Sequence, residues 1–155
     1  MNAEVLATVA TLIRSQRVAA LGTRRDDIPF VSMVAYAIEP GFDGLLLHLS
    51  QLAAHTRQLL ADSQSSLLIC DPDDGRDDVQ TLARITIVGA ATPIPTGSDS
   101  YAAARACYLA RLPAAEMLFN FPDFRLFRFI PSEARYIGGF ARAYTLTAEQ
   151  LRIKS

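Results

Sequence analysis

The sequence predicts a mainly β protein, an antiparallel barrel with peripheral helices. Three observations point there. The predicted elements run helix, three strands, helix, strand, strand, helices, strands, and strands that follow one another with few helices favour a barrel over a parallel α/β sheet. The second and third strands are joined by a short turn, Glu39-Pro40-Gly41-Phe42-Asp43-Gly44, which suggests an antiparallel pairing. The chain is 155 residues long and half apolar, enough for one compact domain with a sizeable core and too short for two.

Residues 3–16 place Val5, Leu6, Val9, Leu12 and Ile13 at helical spacing, an amphipathic helix. Residues 18–22 form a short apolar strand ended by the charged turn 23–27. Pro29 opens a second strand, 30–38, rich in β-branched and aromatic residues, and 45–49 is the third. A helix is predicted over 51–62 with Leu52, Thr56, Leu59 and Leu60 inward. The nearly all-apolar run 65–70 reads as a central strand and 84–94 as a long one. Residues 98–111 read as a helix with Ser98 as its cap, and 113–119 as another short helix. The last strands are 124–130 and 134–137, followed by a turn at Gly138 and Gly139 that needs positive φ. The domain is predicted to span 1–155, with 146–155 a tail of one or two helical turns over 147–153.

The formal net charge is -1, with both signs scattered along the chain. No lysine-arginine cluster offers a phosphate-backbone footprint, so nucleic acid is not expected as a partner. Cys70 and Cys107 sit in apolar segments away from any close cysteine-histidine pattern, and buried free thiols are expected. The acidic segment 71–78 resembles a calcium loop, but Leu82 stands where the closing glutamate belongs, so no metal site is expected. The start of the chain lacks a basic segment followed by an unbroken apolar run, and nothing approaches the roughly 18 apolar residues that span a bilayer. A soluble, cytoplasmic protein is expected.

The stretch richest in chemistry is Leu45-Leu46-Leu47-His48-Leu49-Ser50-Gln51-Leu52-Ala53-Ala54-His55-Thr56-Arg57-Gln58-Leu59. A strand is predicted to end at Ser50 and a helix to begin at once. Alternation puts Leu46, His48 and Ser50 on one face and Leu45, Leu47 and Leu49 on the other. The first turn of a helix carries unpaired amides and partial positive charge, so it receives anions. Ser50, His55, Thr56 and Arg57 surround that terminus and could hold a phosphate monoester. The plainer alternative is that Ser50 is a helix cap and His55 and Arg57 are solvated.

Ser50-Gln-Leu-Ala-Ala-His-Thr-Arg-Gln-Leu59 resembles the Ser-x-Leu-Ala-x-His-Thr-x-Asn-Leu signature of FMN-binding split-barrel proteins related to pyridoxamine-phosphate oxidase, in the branch that includes the haem-utilisation proteins. Five further segments agree in order. Ile28-Pro29-Phe30-Val31-Ser32-Met33-Val34 resembles the Pro-x-x-Ser strand, and Arg84-Ile-Thr-Ile-Val-Gly89 the Arg-x-Thr-x-x-Gly strand. Tyr108-Leu109 with Pro113, Asp123-Phe124, and Gly138-Gly139-Phe140 match three more.

The resemblance implies a six-stranded, antiparallel, Greek-key split barrel that binds FMN and works as a homodimer, with sites completed across the two-fold axis. It places Ser50, His55 and Thr56 at the FMN phosphate, where the oxidases carry an arginine and a lysine; Arg57 would compensate. It places Ser32 and the backbone around Met33 and Val34 beside the flavin, and Arg84 near the ring edge, where it could instead pair with an acidic group. It implies an FMN-dependent oxidoreductase acting on a small molecule or electron donor, with haem binding or degradation and non-enzymatic flavin binding as alternatives. Haem-branch relatives carry a further C-terminal domain, to which Thr147-Ala148-Glu149-Gln150-Leu151 resembles the connector. No catalytic side chain is assigned, because the cofactor would carry the chemistry.

Overall fold

The computed structural model describes residues 2–152. Asn2 starts helix α1 (Ala3–Ser15) by accepting a hydrogen bond from the Val5 amide at 2.9 Å. The helix buries Val9, Leu12 and Ile13, the stripe that the spacing predicts. Strands β1 (Val18–Arg25) and β2 (Ile28–Ala35) form a hairpin whose tight turn holds Asp26 at φ 53°. Strand β3 (Ala37–Ile38) pairs with β4 (Leu45–Ser50) across a 3₁₀ turn at Pro40–Phe42. Helix α2 (Ala54–Ala61) leads to β5 (Gln64–Cys70) and β6 (Arg84–Pro93). Helix α3 (Tyr101–Arg111) and a 3₁₀ arm (Pro113–Asn120) precede β7 (Phe124–Ile137), β8 (Ala143–Thr147) and α4 (Ala148–Leu151).

The eight strands make one antiparallel sheet in the order β2-β1-β5-β6-β7-β4-β3, with β8 on β7. It is the mainly β architecture that the sequence predicts, a sheet curled into a half-barrel with helices around it. The main core fills the curl with Leu45, Leu47, Leu49, Phe127 and Phe129. A second core on the other side of β4 and β7 joins Leu46 and Leu126 to Ala104 and Tyr108 of α3. The alternation along β4 therefore does what its sequence predicts. Arg128 makes a bidentate bond to Glu39, at 2.6 and 3.0 Å, and ties β7 to the β3–β4 turn.

The elements differ from the expectation in five places. The strand expected over 30–38 is two, β2 and the short β3, and the sheet adds β8. The last two predicted strands are one, because β7 runs through Pro131 at a register shift opposite Val88 and Gly89; a bulge tolerates the missing donor. Helix α2 starts at Ala54, not directly after Ser50, and leaves Leu52 and Leu60 exposed while burying Thr56 and Leu59. Helix α3 starts at Tyr101, and Ser98 bonds the Pro95 carbonyl instead of capping it. Cys70 and Cys107 are free but half-buried. Of the expected C-terminal turns, α4 forms, while Ile153 lies outside the described residues.

A candidate anion corner beside an apolar trough

Strand β4 delivers Ser50 to the corner between α2 and β7. Ser50 is still in the ladder, paired with Phe124, and α2 begins only at Ala54, so Ser50 is not its cap. Its hydroxyl instead donates to the Asp123 carboxylate at 2.9 Å and accepts from the Leu52 amide at 3.1 Å. A turn follows, closed by the Ala53 amide on the Ser50 carbonyl. Ala53 then stands at the cap position with no side-chain hydrogen bond, and the first turn of α2 has no acidic residue. The amides that a cap would take are left open, at the positive end of the helix dipole.

Within that first turn Thr56 is 0 % exposed, and its Oγ1 has no hydrogen-bond partner among the described residues. Such an orphaned buried hydroxyl is costly. His55 lies one residue earlier, its Nδ1 3.0 Å from Ser32 Oγ, which fastens the helix start to the middle of β2. Burial lowers the pKa of His55, so the imidazole is neutral at pH 7.

Ser32 also lines a trough of about 480 Å³ with Val18, Val31, Met33, Leu68 and Cys70. Val31 and Met33 are 68 % and 72 % exposed on an edge strand, an unusual place for such side chains. Val34 is buried in the main core behind them. The fold thus joins Ser32, His55 and Thr56, with Met33 on the open side.

Two arginines are held by backbone carbonyls. Arg57 donates to the Leu52 carbonyl at 3.2 Å and lines a cleft of about 650 Å³ with Arg24, Ala54, Gln58 and Asp62. Arg84 donates to the carbonyls of Gln80 and Leu82, at 2.8 and 2.9 Å. Among the described residues it is therefore held by neutral loop carbonyls, not by an acidic partner. The residue that sequence reasoning passed over is Asp123. Only the Asp-Phe pair marked it, and its bond to Ser50 spans 73 positions.

The other histidine belongs to the second core. His48 is 9 % exposed and stacks on Phe119 with ring centres 3.8 Å apart. Phe124 packs at 5.2 Å, and Arg105 lies 5.0 Å over the Phe119 ring. Burial, with Arg105 adding repulsion, lowers its pKa to about 4. In the unfolded chain the value is about 6.5. The folded state therefore resists the proton, and its stability is full above pH 6.5 and falls as pH drops towards 4. We expect wild type to lose about 2 kcal/mol from this group between pH 7 and 4.5. Urea melts of His48→Leu should show a smaller acid loss; equal losses would show that His48 does not titrate this way.

The sequence profile of the family described as CREG, beta-barrel, matches residues 1–151. The chain is 39 % identical over 123 residues to the non-canonical heme oxygenase HOZ, chloroplastic, of Arabidopsis thaliana, covering 78 % of this chain and 35 % of that one. The structure of a heme binding protein from Mycobacterium smegmatis superposes with a TM-score of 0.87 at 28 % identity, covering 98 % of this chain and 61 % of the other. A FAD-binding protein from Mesorhizobium loti shares the fold, with a TM-score of 0.67 at 16 % identity over 83 % of this chain and 88 % of that one. The chain thus spans about a third of the plant relative and under two thirds of the mycobacterial one. Among the described residues, no helix is long and apolar enough to cross a membrane.

Proposed function

This chain belongs to the CREG β-barrel family, within the FMN-binding split-barrel superfamily, and from that premise we propose that it is an FMN-binding oxidoreductase that works as a homodimer in the cytoplasm. The observation that carries the reading is one hydrogen bond between the start of α2 and the strand that edges the trough. The uncapped start of α2 suits a phosphate, and the trough suits a flat apolar ring. Ser32 and His55 join them at 3.0 Å. The residues fit the group: the amides of Ala54, His55 and Thr56 would hold the phosphate, with the orphaned Thr56 hydroxyl beside them.

Ser32 and the backbone at Met33 would lie along the ring, supported from the core by Val34. Arg57 lines the cleft beside Ala54 and would add positive potential for the phosphate. Arg84 anchors the loop at the far end of the β5–β6 pair, where it is the register partner of Cys70. Ser50 acts by shaping the turn ahead of α2. Flavin supplies hydride and single-electron chemistry when bound. The neutral His55 can take up a proton at a ring nitrogen, and the Ser32 hydroxyl is the group that can exchange it. A second copy would cover Val31 and Met33 on the edge strand β2 and enclose the trough for a small substrate or electron donor.

The test is the visible spectrum. Purified protein should be yellow, release FMN on denaturation and elute as a dimer. A colourless protein that takes up no added FMN overturns the reading.

Haem is a second reading, supported by the names of the plant and mycobacterial relatives. His55 bonds Ser32 of the strand that edges the trough, whereas His48 is enclosed by aromatic rings. A Soret band on haem titration that disappears in His55→Ala would favour haem over flavin.

A further inference from the structure

We infer that Asp123 is a specificity-determining residue, a fixed negative charge that weakens phosphate recognition at the α2 corner and keeps the nucleotide exchangeable. The inference rests on the flavin reading above and adds a residue to it. Three contacts carry it. The Asp123 carboxylate takes the Ser50 hydroxyl proton at 2.9 Å, and Ser50 in turn takes the Leu52 amide at 3.1 Å. The Asp123 carbonyl takes the Gln51 amide at 2.6 Å.

Asp123 therefore clasps the whole turn that precedes α2, and does so with a carboxylate two hydrogen bonds from an amide of that turn. The Ser50 hydroxyl points at this carboxylate and is spent as a donor. A ligand phosphate would meet the open amides of α2 and the neutral His55, while the Arg57 guanidinium already donates to the Leu52 carbonyl at 3.2 Å. The corner offers dipoles to an anion while a full negative charge stands behind them. Dipoles bind a phosphate, and the charge limits how tightly.

The substitution Asp123→Asn keeps an oxygen that accepts from Ser50 and removes the charge. The assay compares FMN with riboflavin, the same ring without the phosphate, by quenching of flavin fluorescence in the intact protein. FMN should tighten by about tenfold, the effect of one unit charge within about 10 Å of a phosphate in a partly wet site. Riboflavin should stay within about twofold on the same reasoning, because it is uncharged. Asp123→Ala removes the acceptor as well, so its FMN-to-riboflavin preference should rise in the same way while its melting temperature falls.

Equal changes in FMN and riboflavin would make Asp123 a structural clasp only and overturn the inference. Weaker FMN binding in Asp123→Asn with riboflavin unchanged would also overturn it. Wild type that binds neither flavin would instead sink the flavin reading, and this inference with it.

Discussion

Replacing Gly89 with alanine is expected to destabilise the protein by about 3 kcal/mol or more, the cost of forcing atoms into a filled core. Gly89 stands where the β6–β7 register shifts, opposite Pro131. A Cβ there would land on the carbonyl oxygen of Ile130 and reach 2.9 Å from the Phe129 ring. Phe129 is wholly buried, and the carbonyl belongs to the backbone, so neither can step aside. The backbone of Gly89 is not in the left-handed region, so the requirement is space and not conformation. β6 and β7 form the long central ladder of the sheet, and the damage cannot stay local. The control is Gly97→Ala, where a Cβ would meet nothing within 4 Å. Urea melts should separate the two variants clearly. A Gly89→Ala protein within about 1 kcal/mol of wild type, the cost of an ordinary point substitution, would show that the bulge yields.

That glycine illustrates what the sequence discloses and what it withholds. Gly89 closes the Arg-x-Thr-x-x-Gly segment, so its importance was legible; its reason, a carbonyl 41 positions later, was not. The same division runs through the fold. Period-two alternation in 45–49 assigns Leu45, Leu47 and Leu49 to the main core and Leu46 to the second, since alternation is a local property. Strand β8 was missed because Ala143-Tyr144-Thr145-Leu146-Thr147 has one fully buried residue and depends on pairing with β7.

At the corner, His55 and Thr56 were legible from the motif and the dipole of the coming helix. The helix start was misplaced because a serine after a strand looks like a cap. Asp123, which claims that serine, is distant in sequence. Arg57 and Arg84 show a related limit. A guanidinium on a long stem finds carbonyls nearby, and no spacing rule says which.

The sharpest test of the corner is a substitution whose effects on folding and on binding have opposite signs. Ala54 is the first residue of α2, half-buried, with no acidic neighbour in its turn. Glutamate at this position breaks no hydrogen bond. A carboxylate in the first helical turn favours the dipole and should raise stability by about 0.5 kcal/mol. The same carboxylate would stand against a phosphate seated on the amides. At about 5 Å and an effective dielectric constant near 20, the repulsion is about 3 kcal/mol per pair of unit charges, roughly a hundredfold in affinity. We therefore expect Ala54→Glu to melt no lower than wild type, to lose FMN by about a hundredfold, and to keep riboflavin within a few-fold, because only the phosphate meets the charge. A stable variant that still holds FMN as tightly as wild type would move the phosphate away from α2. Loss of both flavins would mean that the glutamate side chain blocks the ring, and Ala54→Gln, of equal size and no charge, separates that outcome from repulsion.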